Sequence, residues 1–296
     1  MKNMKIIDGR SLSREIKSEI KLEVDKFIDS GGKAPHLAAV LIGEDPASQA
    51  YVRNKIKSCE EVGFESTLIR KNSNISEKEL LDIVDRLNNN EDIDGFIVQL
   101  PLPDHIDETK VILAIEPRKD VDGFHPVNIG RMAVGLPSYI PATPLGILTM
   151  LERYDIETEG KNVVVIGRSN IVGTPMSILL SRKASWGNAT VTLAHSRTKD
   201  LATVVRQADI IVAAIGIAHF ITADMVREGA VVIDVGMNRV DDESAKRGYR
   251  LVGDVDYDEV AGKAAYITPV PGGVGPMTVT SLLMNTLKAA RKEIYG

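Results

Sequence analysis

Two rhythms of apolar residues alternate along this chain, and their alternation predicts its elements. Leu12, Ile16, Ile20, Val24 and Phe27/Ile28 recur at helical spacing and stop at Gly31-Gly32, which predicts a long amphipathic helix first. His36–Ile42 is a short, largely apolar run, as expected of a strand buried in a parallel sheet. A second helix is expected over Pro46–Val62, with Val52, Ile56, Cys59 and Val62 on one face. Residues 66–70 read as the next strand. Ser76 and Glu79 then form a capping box ahead of Leu80, Val84 and Leu87, which marks a helix, and residues 94–100 read as a third strand. Strands and helices alternating at such short intervals imply right-handed crossovers and a parallel sheet, in which ligands bind beyond the carboxyl ends of the strands.

The texture changes at Pro141-Ala-Thr-Pro-Leu-Gly146, a plausible domain crossing. After a helix around 145–151, residues 161–176 give an apolar strand, a glycine-bearing turn and a helix start. Three more buried strands are expected at 189–194, 209–215 and 230–236, with helices between, making a second doubly wound sheet. Residues 266–277 form the densest cluster of glycine and proline. They read as a stiffened loop whose glycines at 272, 273 and 275 allow a ligand close to the backbone, although an interdomain connector could look similar. A last helix is expected from about 277 to 295.

Composition narrows the class. With 296 residues, 44% of them hydrophobic and 26% charged, the chain can build two ordinary domains with buried cores. A net charge of −5 gives no general attraction to nucleic acid or an anionic membrane, while a local basic pocket stays possible. The single cysteine, Cys59, excludes a disulfide framework and a cysteine-rich metal site, and its place on the apolar stripe reads as core packing. The amino terminus lacks the apolar run of a signal peptide and no stretch is long enough to cross a bilayer, so a cytoplasmic enzyme is expected.

Candidate chemistry falls on the rims. Tyr51 and Lys55 are four residues apart, a polar line bordering the stripe of the second helix. A lysine partly desolvated there would have a lowered pKa and could transfer protons near neutral pH; a solvated lysine beside a snorkelling tyrosine is the plainer alternative. Gln99 closes the third strand before Pro101-Leu-Pro103, which aims its amide at the rim. Asp120 and Asp122, with Gly123 after them, could accept hydrogen bonds from a flat nitrogenous ring, or simply make a turn, and His125 before a proline reads as structural. In the later sheet Gly167 and Gly173 are six apart, with Ser169 where a middle glycine is usual, so the pyrophosphate-binding fingerprint is met only in context. The next strand ends in His195-Ser196-Arg197 with no carboxylate for a ribose 2′-hydroxyl. Ser196, Arg197 and Arg168 could instead pair with a 2′-phosphate, which favours NADP over NAD.

Five ordered motifs, Tyr51-Val-Arg-Asn-Lys55, Gln99-Leu-Pro-Leu-Pro103, Asp120-Val-Asp-Gly-Phe124, Gly167-Arg-Ser-Asn-Ile-Val-Gly173 and Pro269-Val-Pro-Gly-Gly-Val-Gly-Pro-Met-Thr278, span the chain. Together they resemble the bifunctional methylenetetrahydrofolate dehydrogenase/methenyltetrahydrofolate cyclohydrolase family. Arg168-Ser169-Asn170 departs from the common fingerprint as that family does, whereas Ala142 stands where many relatives would carry cysteine. The resemblance implies an α/β fold of two domains with a cleft between them: a catalytic, folate-binding domain over 1–143, a Rossmann-like NADP domain over 144–276, and a helix from 277 to 296 packing back on the first. It implies oxidation of 5,10-methylenetetrahydrofolate with NADP and hydrolysis of the methenyl product to 10-formyltetrahydrofolate. Lys55 would be the central catalytic residue, hydrogen-bonded with Gln99. Tyr51 would orient the folate, Asp122 would bind the pterin, and Pro271, Gly272 and Gly275 would close over the substrate. Met237 would reach NADP through its backbone. A homodimer and no metal are also implied. A dehydrogenase lacking the hydrolase, which Lys55 and Gln99 argue against, and a non-catalytic dinucleotide-binding regulator are the other readings.

Overall fold

In the computed structural model, which describes residues 4–245 and 248–295, the apolar rhythms become inward faces. Strand β1 (Lys5–Ile6) leads into helix α1 (Gly9–Asp29), whose Leu12, Ile16, Ile20 and Val24 are buried. Two compact units follow: the chain up to Ser13 with Thr143–Thr278, and Arg14–Ala142 with the chain from Val279 onward. The first residues thus do not join the unit that a boundary of 1–143 would give them. The reason is local: β1 pairs in parallel with a late strand, Ile6 opposite Ile267.

The Arg14–Ala142 unit carries a parallel sheet of β2 (His36–Ile42), β3 (Glu65–Lys71) and β4 (Gly95–Val98), in the order β3-β2-β4. Helices α2 (Pro46–Val62) and α3 (Glu77–Asn89) make the crossovers. Ala38, Val40, Leu80, Ile83, Val84 and Phe96 pack into one core, which fixes the face α3 presents to the sheet. Helix α2 starts where Asp45 accepts a hydrogen bond from the Ser48 N–H at 2.7 Å, ahead of Pro46, and stops at Gly63 with φ 81°. The capping box of α3 is present, Ser76 and Glu79 each accepting the other's backbone N–H.

One sequence expectation changes here. The buried face of α2 runs through Ser48, Val52, Lys55, Ser58, Cys59 and Val62, while Ile56 is only half-buried. Lys55 therefore lies inside the stripe and not on its border. Strand β4 is also shorter than expected; beyond Val98 one more rung forms, Gln99 N–H to Val40 O at 2.9 Å, before Pro101 breaks the ladder. Helices α4 (Glu108–Ala114) and α5 (Pro126–Ala133) complete this part, and His125 caps α5 by accepting the Val127 N–H at 3.1 Å, a structural role.

In the other unit, helix α6 (Ala142–Arg153) precedes β5 (Asn162–Ile166), α7 (Gly173–Ser181), β6 (Thr190–Ala194), α8 (Leu201–Arg206), β7 (Ile210–Ala213) and β8 (Val231–Asp234). An antiparallel pair that the sequence did not announce, β9 (Asn238–Asp241) and β10 (Tyr249–Val252), comes next, then the short helix α9 (Tyr257–Val260) and β11 (Tyr266–Ile267). The six-stranded sheet runs β1-β11-β8-β7-β5-β6, all parallel. The chain leaves β5 for β6 on one side and returns to β7 on the other, so a topological switch point lies at the carboxyl end of β5.

The last helix, α10 (Val274–Ala290), begins earlier than expected, which places Gly275 and Pro276 in its first turn and not in a loop. Its later part belongs to the Arg14–Ala142 unit, where the fully buried Asn285 donates from Nδ2 to Val121 O and Ile140 O, both at 2.9 Å. Asn285→Ala removes both donors from buried carbonyls. A loss of about 1–3 kcal/mol in this unit is expected, read as a lower urea midpoint for its unfolding.

Candidate functional site

A buried amine is the centre of the candidate site in the Arg14–Ala142 unit. Lys55 is 4% exposed. Its Nζ donates to Gln99 Oε1 at 3.2 Å and stands 4.9 Å from the centroid of the Tyr51 ring, one helical turn back. The other end of the Gln99 amide is fixed, since Nε2 donates to Leu100 O at 2.7 Å, so the oxygen is the end left for the lysine. Desolvation lowers the Lys55 pKa below the usual lysine value, partly offset by the negative charge of Asp122. Asp122 is the mirror case: burial raises its carboxyl above the usual range, and the Lys55 charge opposes the rise. Lys55, Gln99, Tyr51 and Asp122, four residues picked from the sequence, thus meet in one unit, and the ammonium and carboxylate each make the other's charge tolerable.

The two neighbouring aspartates have different surroundings. Asp120 is buried and accepts the Phe124 N–H at 3.2 Å, the His125 N–H at 2.8 Å and Asn128 Nδ2 at 2.9 Å. Burial still pushes its carboxyl up to about 7. The loop therefore curls around Asp120, and Gly123, with φ 76°, lies where a Cβ would come within 2.9 Å of Tyr139 O. Asp120 and Asp122 both line a small pocket of about 10 Å³ with Phe96, Val98, Leu100 and Phe124, and of the two it is Asp122 whose charge acts on Lys55. Asp120 as the organiser of this loop escaped the sequence reading, because Asp-x-Asp-Gly gives its two carboxylates equal standing. Cys59, one turn beyond Lys55, has its thiol pushed up to about 12 by burial and is inert.

The second constellation lies in the Thr143–Thr278 unit, at the switch point. Gly167 has φ 111°, and a Cβ there would collide with Ala214 O; a Cβ on Gly173 would collide with Gly167 O. The turn from β5 to α7 is thus folded tightly on itself. Ser169 accounts for the missing middle glycine: its Oγ accepts the Val172 N–H at 3.1 Å and reaches the Gly173 N–H at 3.5 Å, tying down the start of α7. A cavity of about 480 Å³ opens here, lined by Gly167, Arg168, Ser169, His195, Ser196 and Ile215 among others. No carboxylate lines it. Arg197 is exposed beside Ser196 but outside the lining, and its N–H donates to His195 Nδ1 at 3.2 Å.

The remaining selected residues lie in the same unit. Met237 is 52% exposed, and a Cβ on Gly275 would come within 3.1 Å of its Cε. Pro271 is exposed, and Gly272 has φ 119° with its carbonyl accepting the Arg10 N–H at 3.1 Å. The tight turn, the cavity volume and a basic, acid-free rim suit a dinucleotide carrying a 2′-phosphate.

Comparison with known proteins identifies a family. The catalytic-domain model of the tetrahydrofolate dehydrogenase/cyclohydrolase family matches residues 7–122, and the NAD(P)-binding-domain model of the same family matches residues 141–294. The bifunctional protein FolD of Bacteroides thetaiotaomicron is 59% identical over 292 residues, covering 99% of this chain and 100% of that protein. The crystal structure of the FolD methylenetetrahydrofolate dehydrogenase/cyclohydrolase from Campylobacter jejuni superposes with a TM-score of 0.92 at 46% identity, covering 98% of this chain and 99% of that one. The FolD enzyme of Trypanosoma brucei, solved in complex with NADP cofactor and an inhibitor, gives a TM-score of 0.94 at 39% identity with 100% of both chains covered. With both family domains matched in order and relatives aligned end to end, this chain belongs to the tetrahydrofolate dehydrogenase/cyclohydrolase family.

Proposed function

We propose that this chain oxidises 5,10-methylenetetrahydrofolate to the 5,10-methenyl cation with NADP and hydrolyses that cation to 10-formyltetrahydrofolate, with Lys55 as the proton-handling group. Family membership carries the two activities, and the buried Lys55 amine bonded to Gln99 carries the assignment of residues. When bound, NADP supplies the acceptor for the hydride that leaves the methylene carbon.

The methenyl product is a cation. A fixed ammonium beside it would repel it, whereas an amine whose pKa is lowered by burial gives up its proton more readily than a solvated lysine does. In the hydrolytic step water adds to the methenyl carbon as its proton passes to the Lys55 Nζ. The bond from that carbon to N5 then breaks, N5 takes up a proton, the carbinol loses one, and the net release is a single proton. Gln99 holds the amine in place through Oε1, and the Asp122 charge opposes the lowering of its pKa by desolvation. The Tyr51 ring lies beside the same amine, suited to orient a flat ligand, and Asp122 can accept hydrogen bonds from a pterin.

Gly167, Arg168, Ser169, Gly173, Ser196 and Arg197 would hold the dinucleotide, with Met237 reaching it through its backbone and Pro271, Gly272 and Gly275 closing over the folate. The acid-free end of β6 supports NADP over NAD. Among the described residues no helix is long and apolar enough to cross a membrane. On the family resemblance the reading extends to a homodimer working in the cytoplasm.

Three measurements check this assignment. The parent protein mixed with methylenetetrahydrofolate and NADP should generate both NADPH and methenyl absorbance, and Lys55→Met should lose cyclohydrolase turnover by about a hundredfold or more while still binding NADP; ordinary hydrolysis by the variant would remove Lys55 from its role. Labelled-lysine NMR should find the Lys55 amine titrating below the usual lysine value. Because the Asp122 charge raises that pKa, Asp122→Asn should lower it further. Since the folded pKa lies below the unfolded one, the cost of burying Lys55 is felt at neutral pH and relieved as pH rises towards the unfolded value of 10.5. Arg197→Ala should weaken NADP about tenfold and NAD little, and equal losses would contradict a 2′-phosphate contact.

A further inference from the structure

Two buried aspartates outside both constellations are joined in series. Asp234, at the end of β8, is buried, and its Oδ1 accepts the Gly236 N–H and the Asp254 N–H, each at 2.9 Å, while Oδ2 accepts the Val255 N–H at 3.0 Å. The Asp234 N–H is itself bound to Thr268 Oγ1 at 2.7 Å. Asp254, fully buried, takes up the chain: its Oδ2 accepts the Ile215 N–H at 2.6 Å and the Gly216 N–H at 2.9 Å, and its Oδ1 accepts Asn238 Nδ2 at 2.9 Å. Two glycines make room. A Cβ on Gly253 would collide with the Asp234 carboxylate, and one on Gly236 with that of Asp254.

Two of these bonds, from the Ile215 and Gly216 N–H groups, hold a segment that borders the dinucleotide cavity. Ala214, Ile215 and Ile217 line it, and Ala214 O is the atom against which Gly167 closes. Gly236 and Asn238 bracket Met237, one residue on each side, and each is tied to one aspartate. A carboxylate this deep has no water to solvate it, so backbone N–H groups do so, and in return they are held in one arrangement. Burial pushes the Asp234 carboxyl up to about 6 while its three N–H partners pull it down. An ordinary buried pair of acids would repel. Here each acid is surrounded by donors, five from the backbone and one from a side chain.

Resting on the reading of this cavity as the NADP site, we infer that Asp254, itself seated by Asp234, is a positioning residue for the dinucleotide: it sets the 215–217 loop and the 236–238 segment in the arrangement that binds NADP. It touches the ligand nowhere in this account and acts through the backbone it holds. Hydrolysis of preformed methenyltetrahydrofolate consumes no NADP, so the two activities separate its role from simple loss of the fold.

The test measures NADP affinity by direct binding, alongside cyclohydrolase turnover on preformed methenyltetrahydrofolate. Asp254→Ala should weaken NADP by about tenfold or more and raise its KM in the dehydrogenase reaction, with cyclohydrolase turnover kept within about twofold. Should that variant not fold, a charge swap decides. Asn238→Asp sets two carboxylates face to face and should weaken NADP by a similar factor, whereas Asn238→Asp combined with Asp254→Asn restores a donor between them and should recover affinity to within about threefold of the parent. NADP affinity unchanged in a folded Asp254→Ala, or no recovery in the double variant, overturns the inference. A parent protein that fails to bind NADP overturns the reading of the cavity, and the inference with it.

Discussion

Desolvation of one lysine is the constraint on which the catalytic reading depends. An amine in water holds its proton too firmly to exchange it at neutral pH, and one in a wholly apolar core would not take a proton up at all. Lys55 lies on a buried helix face shared with Ser48, Val52, Ser58, Cys59 and Val62, where desolvation lowers its pKa, while Gln99 accepts its hydrogen bond and the Asp122 charge opposes the lowering. Each supporting group is itself pinned from outside the site: Gln99 by the Leu100 carbonyl, and the Asp122 loop by Asp120 within and Asn285 behind. The site is thus a polar island whose edges are anchored in the surrounding fold.

The same principle recurs in the Thr143–Thr278 unit with the opposite sign of charge. There a buried carboxylate organises backbone N–H groups, as Asp120 does around Asp122. In both units an aspartate that meets no ligand shapes a loop beside the residues expected to meet one. Loops made this way are as well determined as the strands they follow, since unpairing a buried carboxylate costs more than losing a neutral hydrogen bond.

Most of the architecture was legible in the sequence, for a definite reason. The strands of both sheets are short apolar runs, and α1, α2 and α3 announce themselves by periodicity and by caps such as Ser76 with Glu79. What the pattern hid was long-range pairing. Residues 5–6 carry no strand signal of their own and become β1 only because β11 offers a free edge, and β9 and β10 are four-residue strands too short to stand out as apolar runs. The residues of the candidate site were readable from motif resemblance, but their surroundings were not. The apolar stripe alone puts Lys55 at the border of its helix, since a charge ordinarily avoids a buried face, and nothing local marks Asp234 and Asp254, whose partners lie up to 39 residues away in sequence.

Cys59 has a practical side. It is the only thiol in 296 residues, fully buried, and burial pushes its pKa up to about 12. The thiolate is the species that attacks maleimides and disulfide reagents, so burial and a raised pKa both disfavour their reaction with Cys59 in the folded protein. A cysteine introduced at any exposed position would be the sole reactive handle, and a dye or spin probe could be attached there with the native residue left untouched.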